Sequence, residues 1–257
     1  MIKTYYRPTS LDEALSLLSN PEEKAKPLGG GTSISKHKGP EISVVDLQGL
    51  GLNNIEKSGG RISAGALVRL DALLKHIEIH EELKRAIRLD THENSRNMAT
   101  LGGWLVSSQG RSTFSTLLMA LDATLTWAPG DTKVRLGDWF PTRNFESHGL
   151  MITEITWWSQ TKLVFEYVAR SPKDVPILIV AVAQWGSGRT RIALGGFGET
   201  PILAMDGPDA DGAEIACHDA CSDADDQWAS AVYRREVASK LAKRCLARIN
   251  AQSESEV

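Results

Sequence analysis

The chain has 257 residues, of which 42% are hydrophobic and 24% charged, enough for two or three compact domains with ordinary globular cores. Its formal net charge of −3 gives no electrostatic footprint for nucleic acid or an anionic membrane, and no apolar run approaches the ~20 residues that a membrane span needs. Residues 1–8 lack the apolar core of a signal peptide, so we expect a cytoplasmic protein.

The first 65 residues are predicted to alternate strands with one helix. Ser10 and Glu13 have the spacing of a capping box, and the apolar residues behind them recur at i, i+3, i+4 and i+7, which predicts a helix ending at Asn20-Pro21. Strands are predicted at 4–7, 42–47 and 61–64, with a short segment at 25–28 that leads into three glycines.

Residues 70–160 are predicted to mix helices and strands. Two helices are expected over 70–88, with Ile77 on their buried face. A glycine pair then interrupts a strand-like apolar run at 100–106. Further predicted elements are a helix at 114–121, a hairpin pairing 124–128 with 133–136, and a strand at 151–157.

Beyond about residue 160 the chain changes to hairpins. Strands are predicted at 162–170, 177–184 and 189–194, then an acidic loop at 204–225, a final helix at 225–250 and a polar tail at 251–257. On the final helix an apolar stripe is predicted to include Tyr233, Val237, Leu241 and Cys245. These patterns predict a mixed α+β protein with a boundary near residue 160.

Three cysteines, Cys217, Cys221 and Cys245, lie near the end of the chain. Cys217 and Cys221 flank His218 like half a metal site, but no second cysteine pair completes a four-thiolate set. We therefore predict reduced thiols and no metal ligands in this chain. If the protein transfers electrons, any iron–sulfur cluster is expected on a partner.

Two glycine motifs carry the strongest functional signal. In Gly29-Gly30-Gly31-Thr32-Ser33, three residues without Cβ permit positive φ and bring N–H groups close to an anion, while two hydroxyls add donors. A pyrophosphate needs such donors, although the spacing matches neither the Rossmann nor the P-loop motif. Thr100-Leu101-Gly102-Gly103 is the second motif. The alternatives are structural: a flexible turn for the first, and tight packing or a bulge for the second.

Together these motifs resemble two loops of the FAD-binding medium subunits of the xanthine dehydrogenase and carbon monoxide dehydrogenase family of molybdenum hydroxylases. In that family an A-G-G-[TQH]-[SD]-L loop and a T-[IL]-G-G-[NS] loop cradle the FAD pyrophosphate and ribityl chain. Here Gly29–Ile34 and Thr100–Trp104 are similar to them. Family-like segments also occur, in the same order, at 6–14, 65–66, 189–201 and 233–236, so the resemblance covers nearly the whole chain.

The resemblance implies an α+β fold with two N-terminal α/β subdomains of the PCMH-type FAD-binding fold, at 1–55 and 56–160. A C-terminal β-sheet domain flanked by helices would follow at 161–250. FAD is the implied cofactor. No catalytic side chain is implied, because the protein's task is to bind and orient the cofactor. The implied cofactor-binding residues are Gly29, Gly30, Gly31, Thr32, Ser33, Ile34, Asn97, Thr100, Leu101, Gly102, Gly103 and Trp104.

The resemblance also implies partners. A small subunit with 2Fe–2S clusters and a large molybdopterin subunit would join this chain in a hetero-oligomer, such as a dimer of heterotrimers. Electrons released by substrate oxidation at molybdenum would pass through the clusters to FAD, and then to NAD(P)+ or another acceptor. The substrate itself would bind on the large subunit.

Two positions depart from the family pattern. Trp104 stands where the family has Asn or Ser, and Thr113 where it has an Asp that helps bind the flavin's sugar-like chain. A Trp side chain buries ~150–250 Å², so Trp104 is expected to turn into the core, stack on the cofactor, or fill its space. Nearby, Arg111 is expected to contact phosphate or to form a surface salt bridge.

These departures keep two other hypotheses open: a structural or assembly subunit that has lost FAD, and a free-standing FAD oxidoreductase. Three weaker clusters have simple explanations. His76 and His80 lack the Glu of a helical zinc motif and are predicted on a solvated helix face. The acidic residues at 206–211 lack the register of a calcium loop. The basic residues at 240–248 are interpreted as a solvated face, with a subunit contact as the alternative.

Overall fold

The computed structural model describes residues 1–143, 149–172 and 174–255. Its strands are β1 (Ile2–Tyr6), β2 (Lys26–Leu28), β3 (Ile42–Asp46), β4 (Ile55–Ser58), β5 (Arg61–Gly65), β6 (Thr124–Ala128), β7 (Thr132–Arg135), β8 (Met151–Trp158), β9 (Lys162–Val168), β10 (Leu178–Gln184), β11 (Thr190–Gly195) and β12 (Ile202–Gly207). Its helices are α1 (Leu11–Leu18), α2 (Leu70–Lys75), α3 (Glu81–Asp90), α4 (Glu93–Met98), α5 (Leu101–Ser107), α6 (Thr113–Ala120), α7 (Leu136–Trp139), α8 (Ala213–Asp219) and α9 (Ala231–Ser255). The predicted α+β class is confirmed.

The chain forms two compact units. The first contains residues 1–78, 91–107 and 124–156, and the second contains 79–90, 108–123 and the chain from 157 onwards. The first unit therefore includes segments of both predicted N-terminal subdomains. The subdomain limits at residues 55 and 160 stay predictions.

The first unit opens with a three-stranded parallel sheet in the order β1-β3-β2. Helix α1 connects β1 to β2, and its predicted start is confirmed: the Ser10 hydroxyl accepts the Glu13 N–H at 3.3 Å. The Glu13 carboxylate accepts the N–H of Thr9 at 2.9 Å. The buried side of α1, with Ala14 and Leu18, packs in one apolar cluster with Val45 of β3.

The second sheet of this unit has the strand order β4-β5-β8-β6-β7. The pairs β4–β5, β6–β7 and β6–β8 are antiparallel, and the predicted hairpin of β6 with β7 is confirmed. Strand β4 was not predicted. It pairs along one edge of the sheet with mostly exposed side chains, so its sequence lacks the apolar alternation that marks a half-buried strand.

The glycine pair at 102–103 lies in helix α5, and the predicted strand-like run at 100–106 is wrong. Leu101 and Leu105, spaced i, i+4, are both fully buried, which is the helical period. The prediction for Ile77 is also wrong: α2 ends at Lys75, and the Ile77 side chain is 89% exposed. His76 and His80 therefore do not share a helix face.

The second unit is a four-stranded antiparallel sheet in the order β12-β11-β10-β9, with helices packed on it. The acidic segment 204–225 is not a loop as predicted, since it contains the end of β12 and helix α8. Asp206 can lie in a strand because Arg189 and Arg191 pair with its carboxylate at 2.9 and 2.5 Å.

The last helix begins at Ala231 rather than at residue 225, and continues to Ser255 through most of the predicted tail. Tyr233 is 42% exposed, so its predicted place on the apolar stripe is wrong, whereas Arg234 is fully buried. Leu241 and Cys245 lie in the apolar core between α9 and the sheet, as predicted.

Candidate functional site

A cavity of about 430 Å³ lies in the first unit, and residues of both glycine motifs line it. The whole first loop, Gly29–Ile34, lines it, together with Thr100, Gly102 and Gly103. The remaining predicted site residues do not line it: Leu101 is fully buried and Asn97 is exposed. A volume of this size lies within the ~300–1,000 Å³ range of small-molecule sites.

Trp104 lies outside the lining of the cavity. On α5 the residues that line it are Gly102, Gly103, Val106 and Ser107, whose spacings of three and four residues place them on one side of the helix. Trp104 is one residue further round the helix and half-buried. Of the three alternatives for this side chain, filling the cavity is therefore excluded.

The first loop presents four consecutive backbone N–H groups. In the described part of the chain, the N–H groups of residues 30–33 donate to no protein acceptor. The carbonyls of the loop are held instead: Gly29 accepts from the Gln48 side chain at 3.3 Å, and Gly31 accepts from the Ser35 N–H at 2.9 Å. Successive backbone N–H groups without protein acceptors are the kind of donors from which anion sites in proteins are built.

Close packing explains why most of these positions are glycines. A Cβ on Gly30 would lie 1.7 Å from the Met98 carbonyl oxygen, and one on Gly102 would lie 2.9 Å from Ala66 Cβ. Gly31 has φ +72°, a conformation that side chains disfavour. A larger residue at position 30 would thus push the first loop away from the α4–α5 connection. These glycines therefore have a packing role, as the structural alternative expected.

The second motif contributes surface rather than donors. The Leu101 and Gly102 N–H groups already donate to the carbonyls of Val68 and Ala66, at 2.8 and 2.9 Å. The Gly103 N–H donates to the Thr100 hydroxyl at 3.3 Å. With those donors occupied, the exposed backbone of Gly103 lets a ligand approach the helix closely, and the free N–H groups come from the first loop.

Sequence reasoning missed other lining residues, notably Lys26, Trp127, Trp139 and Arg143. Two of them are cations, and no Asp or Glu occurs among the described lining residues. The cavity therefore favours an anionic ligand. Nothing in the local sequence marks these residues, since Trp127 belongs to an ordinary strand and Arg143 follows a short 3₁₀ turn.

Thr113 and Arg111 belong to the second unit, and neither lines the cavity. Thr113 is fully buried, and its N–H and that of Phe114 donate to the Asp90 carboxylate at 3.0 and 2.9 Å. Burial raises the pKa of Asp90 despite these donors. The Arg111 guanidinium donates to the carbonyl of Pro176 at 2.8 Å, so the expected surface salt bridge is replaced by a backbone contact.

The basic face of α9 forms ion pairs. Arg248 donates to Glu82 and to Glu166, each at 2.8 Å, and Lys243 lies 3.9 Å from Glu214. Among residues 1–143, 149–172 and 174–255, no three His, Cys, Asp or Glu side chains come together as a metal-binding group. In the same ranges, every helix is too short or too polar to cross a membrane.

Several known proteins are similar to this chain. Residues 1–156 match the family described as the FAD binding domain in molybdopterin dehydrogenase. The chain is 29% identical over 222 residues to the glyceraldehyde dehydrogenase medium chain of Sulfolobus acidocaldarius, covering 79% of this chain and 78% of the relative. It is 25% identical over 248 residues to the protein YgfM of Escherichia coli K12, covering 94% of each.

The fold of the chain is also similar to solved structures. A chain of carbon monoxide dehydrogenase from Hydrogenophaga pseudoflava superposes with a TM-score of 0.80 at 21% identity, covering 98% of each chain. This likeness extends the match beyond residue 156 into the C-terminal sheet and helices. By its match over residues 1–156, the chain belongs to the family of FAD-binding domains of molybdopterin dehydrogenases.

Proposed function

We propose that this chain is the FAD-carrying subunit of a molybdenum hydroxylase complex. It would take electrons from 2Fe–2S clusters on a small partner subunit and pass them to NAD(P)+ or another acceptor, while substrate is oxidised on a large molybdopterin subunit. Bound FAD supplies the redox chemistry, because it can accept electrons singly and release them in pairs. The protein's own residues bind and orient it.

The observation that carries the proposal is that residues 30–33, whose N–H groups have no acceptor among the described residues, line a cavity whose charged described lining residues are cations. Backbone donors in this arrangement suit the FAD pyrophosphate, and Lys26 and Arg143 add positive charge. The glycines let the phosphates approach the backbone without a Cβ in the way. The residues present therefore fit the cofactor.

The hypothesis of a subunit that has lost FAD is weakened. It was motivated by Trp104 and Thr113. Trp104 does not line the cavity, whereas the Asp that the family has at position 113 is still absent. No specific feature of the described residues favours a free-standing FAD oxidoreductase. One relative, the medium chain of glyceraldehyde dehydrogenase, is by its name one chain of a larger assembly, which favours a subunit.

The direct test places a side chain in the cavity. Gly103 lies on an exposed helix face, and a Cβ there would meet only the Thr100 hydroxyl at 2.8 Å, the end of a side chain that can rotate. We expect Gly103→Leu to fold, because Gly is a poor helix former, but to lose FAD. Flavin content is measured from the visible absorption of the purified protein after incubation with FAD.

The matched control is Gly186→Leu, since Gly186 has no heavy atom within 4 Å of its Cβ position and no positive φ. This variant should retain the FAD content of the unchanged protein. An unchanged protein that takes up no flavin, or a folded Gly103→Leu variant that retains FAD in full, contradicts the proposal. Co-purification of a molybdopterin subunit and a 2Fe–2S subunit with the tagged chain tests the assembly.

A further inference from the structure

Two tryptophans form part of the cavity wall, and pyrophosphate binding gives them no role. Trp127 on β6 is 9% exposed, and Trp139 on α7 is half-buried. Their ring centroids are 5.7 Å apart with planes tilted by 56°, and Trp139 also packs against Phe140 at 5.5 Å. The two indoles are therefore held by their neighbours and present aromatic surface to the cavity.

Arg143 contacts both the aromatic wall and helix α5. Its guanidinium donates to the Leu105 carbonyl of α5 at 3.2 Å and lies 5.7 Å from the centre of the Phe140 ring. The cavity thus joins three kinds of surface: backbone N–H donors on the first loop, cationic side chains, and an indole wall.

We propose that Trp139, supported by Trp127, holds the adenine ring of FAD, so that the cavity recognises the adenosine diphosphate half of the cofactor. The inference rests on the proposed function. Indole faces stack well on flat bases, and each base–aromatic stack in nucleotide-binding proteins strengthens binding substantially. The donors of residues 30–33 would take the phosphates of the same half.

Size and chemistry favour the adenine half over the flavin half. At about 430 Å³ the cavity lies low in the ~300–1,000 Å³ range that suits drug-sized ligands, and FAD is larger than such a ligand. The cavity therefore suits one half of the dinucleotide. Adenine takes no part in electron transfer, so the tryptophans of the cavity wall need only bind it. The isoalloxazine must instead exchange electrons with partners.

The experiment measures binding of ADP and of FMN to the flavin-free full-length chain by isothermal titration calorimetry. The variants are Trp139→Leu and Trp139→Phe, with Trp228→Leu as control. Trp228 is also partly exposed, but it belongs to the second unit, where two arginines contact its ring. We expect ADP to bind and to compete with FAD. Trp139→Leu should weaken ADP binding by roughly 5- to 150-fold, the usual range for loss of one base–aromatic stack.

Trp139→Phe should restore part of the ADP affinity, and Trp228→Leu should leave it unchanged. Equal ADP affinity in Trp139→Leu and the control overturns the inference, as does a Trp139-dependent affinity for FMN with no binding of ADP. If FAD binds while ADP affinity is insensitive to Trp139, the proposed function stands and only the adenine assignment fails. If FAD does not bind to the unchanged chain, the proposed function fails.

Discussion

Arg234 is a fully buried cation at the start of α9, and its removal should strongly destabilise the second unit. Its guanidinium donates to the carbonyls of Ile177, Ala224 and Ala229 and to both carboxylate oxygens of Asp226, at 2.9 and 2.8 Å. It therefore fastens the beginning of the helix to the segment before β10 and to the loop before α9. We consider the substitution Arg234→Met, which keeps the length of the side chain.

The cost follows from what the methionine leaves behind. The carbonyls that lose a donor belong to residues that are largely buried, Ile177 at 7% and Ala224 at 5% exposure, and each unsatisfied buried group costs ~1–3 kcal/mol. Asp226 keeps a side-chain exposure of 27%, so water can replace part of what it loses. We expect the free energy of unfolding to fall by about 3–5 kcal/mol, the range for breaking a buried ion pair.

The assay is urea denaturation followed by circular dichroism, with Arg235→Met as the matched control. Arg235 is the next residue of the same Tyr-Arg-Arg sequence, but its side chain is 39% exposed and lies 3.8 Å from the exposed Asp219. Exposed pairs contribute ~0–1 kcal/mol. If the two variants lose the same stability, or if Arg234→Met loses less than about 1 kcal/mol, the structural interpretation of this arginine is wrong.

Two further predictions concern titratable groups of the second unit. Burial raises the pKa of Cys217 and Cys245 to about 12 and that of Cys221 to about 11. A thiol reagent at pH 8 should therefore label none of the three rapidly in the native protein, and all three after unfolding. Rapid labelling of the native protein would show that the core around α8 is open. Burial lowers the pKa of His80 in the folded protein below its unfolded value of about 6.5. The free energy of unfolding should therefore be highest above pH 6.5 and fall as the pH decreases from 6.5 to the folded pKa, because only the unfolded state takes up a proton there. Thermal unfolding at a series of pH values measures this slope, and His80→Gln should flatten it.

The parts of the fold that were predictable depend on local signals. The start of α1 follows from Ser10 and Glu13, and the hairpin of β6 with β7 from alternation around a Pro-Gly turn. The edge strand β4 was missed because its side chains are mostly polar and exposed, although it pairs with the adjacent strand β5. Helix α8 was missed because it lies within a segment that is acidic and rich in glycine. The acidic segment also contains the end of β12, where Asp206 pairs with Arg191 on the neighbouring strand β11 and with Arg189 just before that strand.

The site was predictable only where it is contiguous. The two glycine motifs were found as motifs, whereas Trp127, Trp139 and Arg143 reach the same cavity from segments that look ordinary by themselves. Trp104 was judged by its size alone, and its consequence for the cavity depended on which face of α5 it occupies. A strand-like prediction for that segment could not supply this, since the two structures place a side chain differently.

The sequence left two explanations for the glycines of the first loop, a structural role and phosphate binding, and the two are compatible. Gly30 is required by the Met98 carbonyl against which it packs, and Gly31 by its positive φ, so both glycines are structural. Yet that packing and the bonds to Gln48 and Ser35 engage the loop through its α-carbon and carbonyls, which leaves its N–H groups without partners among the described residues. Because these bonds use the carbonyls, the loop does not have to break a hydrogen bond of its own before its N–H groups bind an anion. Under the proposed function, tight packing therefore keeps the N–H donors of the loop available to the cofactor phosphates. Substitutions that relax this packing should weaken cofactor binding even where no side chain enters the cavity.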